Sequence, residues 1–131
     1  FPTRRSSDLL GNLTSRIMKM ATQHLSASVS LPEIMRHTEV DKAVEKFDLK
    51  LAAEHAMNAM KELDGYIQST EPFKVIKIDS DRGQALITEM VERLYAVAVV
   101  LRPFLPNTAK EIERLIRENK MPEKPLFARL P

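Results

Sequence analysis

LKLAAEHAMNAMKELDGYI, residues 49–67, is the stretch that decides the fold. Its apolar positions Leu49, Ala53, Ala56, Met60, Leu63 and Ile67 recur at intervals of 4-3-4-3-4. That near-heptad repeat puts one stripe of side chains on one face of a helix, the pattern of a seam inside a helical bundle. Ala52, Ala53 and Ala56 are small enough to let a neighbouring helix approach closely. Gly65 costs a helix about 1 kcal/mol relative to Ala, so its presence points to local crowding. The helix is expected to stop at Ser69-Thr70-Glu71-Pro72, because Pro72 disfavours a helical Glu71.

Working outward, the same periodicity recurs on both sides. Leu10, Leu13, Ile17, Met20 and His24 or Leu25 keep helical spacing and predict a helix over 10–25. Ser26–Ser30 break it. A weaker amphipathic segment spans Met35–Lys46, and Asp48 is placed to cap the helix that starts at Leu49. Past Pro72, the residues Pro72-Phe73-Lys74 and Val75-Ile76-Lys77-Ile78 read as an extended connector followed by a loop or single turn. Asp79, Ser80 and Asp81 are N-cap candidates for a helix over 82–101. That helix is apolar over most of its circumference, with Leu86, Met90, Leu94, Val97 and Leu101 on one line and Ile87, Val91 and Ala98 beside it. Such a helix belongs in the centre of a bundle. Pro103 and Pro106 bracket a turn, after which Asn107 or Thr108 caps a last helix. It sends Ala109, Ile112, Leu115 and Ile116 inward and Glu111, Glu113, Arg114, Arg117 and Glu118 to water. Residues 121–131 are expected to form an extended strap, with Leu126 and Phe127 laid back on the bundle. The fold expected is all-α, an antiparallel bundle of four to five helices.

Residues 1–9, FPTRRSSDL, stand apart. The string matches what a common sequencing-adapter oligonucleotide encodes when translated. It is expected to be non-native read-through, leaving 10–131 as the domain and as the tail of something longer. It carries two Arg and one Asp, so without it the formal net charge falls from +2 to +1. So mild a charge permits an acidic partner without demanding one.

Composition narrows the chemistry. With no Cys there is neither a disulfide framework nor a thiolate metal site. His24, His37 and His55 lack the spacing of a metal site, and no His-Glu-x-x-His pattern occurs. The three Gly are isolated, so there is no phosphate-cradling loop. No Ser sits in a nucleophile elbow. Glu45, Glu54 and Glu62 fall on helix faces as solvated charges. No catalytic residue and no metal ligand are therefore assigned. No apolar run approaches the ~20 residues of a membrane span. Nothing resembles a signal peptide, so a cytoplasmic location and no membrane partner are expected.

One polar constellation is left. In Gly11-Asn12-Leu13-Thr14-Ser15-Arg16, Asn12 and Arg16 lie four residues apart and share a helix face. Asn pairs a donor with an acceptor and Arg presents a rigid fork of donors. Side by side, the two groups suit the edge of a nucleic-acid base. They suit a solvated helix face equally well.

Three separated motifs raise the first possibility. Leu10-Gly11-Asn12-Leu13-Thr14-Ser15-Arg16, Tyr66-Ile67-Gln68-Ser69-Thr70-Glu71-Pro72-Phe73-Lys74 and Leu101-Arg102-Pro103-Phe104-Leu105-Pro106-Asn107-Thr108-Ala109 occur in order, followed by Lys124-Pro125-Leu126-Phe127. Together they resemble the anticodon-binding helical domain of methionyl-tRNA synthetase, a class I aminoacyl-tRNA synthetase, in its bacterial form. The resemblance covers about residues 9–131. It implies a class I anticodon-binding bundle whose partners are the anticodon loop of methionine tRNA and an N-terminal catalytic domain absent from this sequence. In that family the whole ligase charges tRNA with methionine using ATP, so no cofactor is implied for this part of the chain.

In the family an Asn and an Arg of the first motif hydrogen-bond anticodon bases, and they fall on Asn12 and Arg16. An aromatic after Pro, typically Trp, stacks on the anticodon, and it falls on Phe73. Phe departs from that pattern in having a smaller face and no indole N–H. Lys74 and Lys77 are candidates for phosphate contacts. Two rival readings accompany this one. One is the equivalent domain of another class I synthetase. The other is a helical protein-interaction module, which exposure of Ala53, Ala56 and Met60 would favour.

Overall fold

A computed structural model describes residues 4–25, 49–102 and 105–122. The segment Met35–Lys46, the Asp48 cap and the strap from residue 123 onward lie outside the described residues. Among those described there are five helices and no strand: α1 (Arg4–His24), α2 (Leu49–Thr70), α3 (Pro72–Ile78), α4 (Ser80–Leu101) and α5 (Pro106–Glu118).

The core forms around α4, which packs against each of the other four helices. Its buried residues include Ile87, Met90, Leu94, Val97 and Leu101 along one line and Val91, Tyr95 and Ala98 beside them. Only enclosure by neighbours on several sides removes that much apolar surface from water. Leu10, Leu13, Ile17, Met18 and Ala21 supply the α1 face, and Ile112 and Ile116 the α5 face. From α2 come Ala56, Met60, Leu63 and Ile67, all at most 1% exposed. The seam read from the sequence is thus turned inward, with Ala53 half-buried at its edge. Ala56 and Met60 offer no surface to a partner helix, which removes the ground for an interaction module.

Two cross-links set helix direction. Gln84 Nε2 donates to the His24 carbonyl at 3.3 Å, tying the end of α1 to the first turns of α4. Tyr66 Oη donates to Glu89 Oε2 at 2.5 Å, tying the last turns of α2 to the first half of α4. Helices α1 and α2 therefore both run against α4, and side by side in the same sense. Helix α1 starts at Arg4 rather than Leu10, its first turns formed by the residues expected to be non-native. Adding a turn to an existing helix avoids the cost of nucleation.

The connector after α2 differs from expectation: residues 72–78 are helical, not extended. Glu71 takes a left-handed conformation (φ 46°, ψ 60°) that ends α2, and Pro72 stands in the first turn of the next helix. Proline suits that position, since its φ is preset and its missing N–H would have had no partner there. The Glu71 carbonyl accepts from the backbone N–H groups of Lys74 (2.9 Å) and Val75 (3.2 Å), so the new helix begins without a gap. The β-branched Val75 and Ile76, a weak helical signal by themselves, are half-buried, and α3 packs on α4. At the far end Asp79 caps α4, its side chain accepting from the Arg82 N–H at 3.2 Å.

Helix α5 also departs from expectation in two details. It begins at Pro106 with Leu105 as the cap residue and no side-chain cap, instead of being capped by Asn107 or Thr108. Glu113 does not face water: it is 5% exposed. Its carboxylate accepts from Arg102 Nε at 2.9 Å and also from Arg102 Nη2. This fork grips both sides of the α4–α5 corner and holds Arg102 charged, its pKa raised chiefly by the bond to Glu113. Replacing Arg102 by Met is expected to cost about 1–3 kcal/mol by stranding a buried carboxylate, with Arg102's half exposure limiting the loss. Replacing both residues by Met should cost less than the single change, as read from chemical denaturation.

The glycines show where crowding lies. A Cβ at Gly65 would meet nothing within 4 Å, so the crowding expected there is absent. A Cβ at Gly83 would fall 2.5 Å from the Ile76 Cα. Gly65→Ala should therefore stabilise the chain by roughly 1 kcal/mol. Gly83→Ala should destabilise it by pushing α3 off α4. Thermal melts of the two variants should shift in opposite directions.

Candidate nucleic-acid interface

Burial of one face of α1 decides what the other face presents. With Leu13, Thr14, Ile17 and Met18 inward, Asn12, Ser15, Arg16 and Lys19 stand outward. Thr14 satisfies its buried hydroxyl on the Leu10 carbonyl at 2.9 Å. Among the described residues the Asn12 side chain has no hydrogen-bond partner, so its amide is free for a ligand.

Arg16 is engaged. Its Nη1 donates to Asp64 Oδ1 of α2 at 3.3 Å, and the other Asp64 oxygen accepts from Gln68 Nε2 at 2.9 Å. The sequence reading missed Asp64 and Gln68. Their signal was a pair of polar residues four apart, on the α2 face that Gly65 leaves open.

Phe73 stands on α3 with 46% of its surface exposed, well above the burial of a core ring. Lys74 Nζ lies 6.0 Å from the ring centroid and 3.2 Å from Glu71 Oε1. Lys77 is exposed one turn further along.

No hydrogen bond, ion pair or ring contact joins Asn12, Arg16 and Phe73 directly. They are related through the frame. The end of α1 meets Gln84, and Ile76 of α3 meets Gly83, so both reach the same turn of α4. Arg16 is two turns from that end of α1 and Asn12 one turn, about 6 Å, further away. Arg16 is thus nearer than Asn12 to the end of α1 that meets Gln84.

Beneath this region Tyr66 locks α2 to α4. Its ring carries the Arg93 guanidinium 4.2 Å from the centroid, and Arg93 Nη2 lies 3.2 Å from Glu89 Oε1. The hydrogen bond to Glu89, then burial, then the Glu89 charge push the Tyr66 phenol above its ordinary value of 10.0. A separate open pocket of about 550 Å³ is lined by Arg102, Pro106, Lys110, Glu113 and Arg117. It sits at the α4–α5 corner, the opposite end of α4 from α3, and takes no part in this surface. Among the described residues no group of three or more His, Asp or Glu could hold a metal, and no helix is long and apolar enough to cross a membrane.

The described helices form an all-α bundle that leaves Asn12, Arg16 and Phe73 exposed. Residues 8–125 match the family model described as the anticodon binding domain of methionyl tRNA ligase, and the chain belongs to that family. It is 31% identical over 133 residues to the methionine–tRNA ligase of Streptomyces coelicolor, a match covering 86% of this chain and 25% of the relative. Against the methionine–tRNA ligase of Cereibacter sphaeroides it is 31% identical over 116 residues, covering 79% and 20%. Against that of Clostridium acetobutylicum it is 28% identical over 131 residues, covering 86% and 20%. The chain thus spans about a quarter to a fifth of the length of these relatives.

The Tyr66–Glu89 bond requires a neutral phenol. It is intact at neutral pH and is lost as pH rises through the elevated Tyr66 pKa. In a Tyr95→Phe background, ultraviolet titration should show one phenolate transition above 10, and Glu89→Ala should bring it back toward 10.

Proposed function

We propose that this bundle recognises the anticodon of methionine tRNA within a cytoplasmic methionine–tRNA ligase. The charging of tRNA with methionine, using ATP, would lie in a catalytic domain outside this sequence. The observation that carries the reading is the half-exposed Arg16, tied to the last turns of α2, the helix that leads directly into α3 and Phe73. Membership of the anticodon-binding family supports it.

The chemistry follows from the side chains. Anticodon bases are unpaired and can splay out, so they are read by stacking and by hydrogen bonds to their edges. Asn12 offers one donor and one acceptor from its amide. Arg16 keeps further N–H donors beyond the one given to Asp64. Phe73 supplies a flat apolar face on which a base stacks, an interaction of about 1–3 kcal/mol. Lys77, and Lys74 once it exchanges Glu71 for a phosphate, hold the backbone without reading sequence.

Binding of the chain to a stem-loop RNA with the methionine anticodon tests this. Arg16→Ala and Phe73→Ala should each weaken binding by about 1–3 kcal/mol. Lys77→Gln should lower the salt dependence by roughly one unit and leave the preference between loops intact. An Arg16→Ala protein that still prefers the methionine anticodon to the same degree would refute base reading at this site.

A further inference from the structure

We propose that Asp64 is the positioning residue of Arg16, held in turn by Gln68, so that the guanidinium meets a base edge in a single orientation. This rests on the reading of Arg16 as a base-contacting residue. Each oxygen of the Asp64 carboxylate has its own partner: Oδ1 takes Arg16 Nη1 at 3.3 Å and Oδ2 takes Gln68 Nε2 at 2.9 Å. Two bonds from different directions restrain the carboxylate, and its single contact with Arg16 Nη1 narrows the directions open to the guanidinium. The Gln68 donor comes from one turn along the same helix, so Asp64 and Gln68 form a hydrogen-bonded shelf on α2. Arg16 reaches across to it from α1.

A free arginine side chain samples many rotamers and must be ordered whenever it binds. Here one N–H anchors the fork to protein. The remaining donors keep a set direction, suited to an unpaired base that offers adjacent acceptors on one edge. The pair contributes little to folding. Its side chains are 47% and 27% exposed, and an ion pair so open to water is largely offset by solvation and screening. Orientation, rather than stability, is what this pair adds.

The test compares two stem-loop RNAs, one with the methionine anticodon and one with a single anticodon base exchanged, on the 131-residue chain. The ratio of their dissociation constants measures discrimination. Asp64→Ala should lower that ratio about tenfold, with the thermal melt unchanged. Asp64→Asn keeps an acceptor for Arg16 and should recover most of the ratio, while Gln68→Ala should give a smaller drop. In an Arg16→Ala background, Asp64→Ala should change the ratio no further. Equal weakening on both RNAs by Asp64→Ala would mark a purely structural role and overturn the proposal. So would an Asn variant as poor as the Ala one. If Asp64→Ala keeps the full ratio while Arg16→Ala loses it, positioning fails and base reading by Arg16 stands. If Arg16→Ala also keeps it, the underlying reading fails as well.

Discussion

Enclosure of α4 is the constraint from which the rest of the bundle follows. Ten of its residues are buried, spread too widely around the helix for one neighbour to cover. Four helices close on it, and each must turn an apolar stripe inward. Once α1 has committed Leu10, Leu13 and Ile17 to this contact, the opposite face is left for polar groups. Asn12 and Arg16 owe their outward position to the core requirement of a helix they do not belong to. The backbone that carries Asn12 and Arg16 is therefore as fixed as the packing beneath it.

How far the sequence foretold this depends on the kind of signal. Long periodic segments were legible because burial imposes a period: the stripe through Ala56, Met60, Leu63 and Ile67 is the one that packs. The short helix α3 was not, because seven residues carry too little periodicity and Val75 and Ile76 favour extended structure. What makes them helical is tertiary, a face of α4 kept bare at Gly83. Glu113 was misjudged for a related reason. Its position by spacing is peripheral, and only the partnership with Arg102 makes burying its charge tolerable.

The candidate site was proposed from residue type and family likeness, not from geometry. Spacing placed Asn12 and Arg16 on one face, and the likeness drew attention to Phe73. Neither revealed that Arg16 is already engaged. A contact between α1 and α2 joins residues 48 apart in sequence, and no local pattern encodes it. The same holds for the Tyr66–Glu89 bond, which spans 23 residues and pins the base of the surface. Polar links of this kind carry no periodicity, so they emerge only when the helices are assembled.

The bare face at Gly83 has a bearing on the ring above it. Because both the main chain and the side chain of Ile76 rest on the bare Gly83, the height of Phe73 over the bundle depends on that close approach. Side chains can repack around a change, but main chains in contact have no such slack. The position of the Phe73 ring is thus gauged from below by an atom that is missing. A methyl group introduced there would lift α3, and Phe73 with it, away from α4.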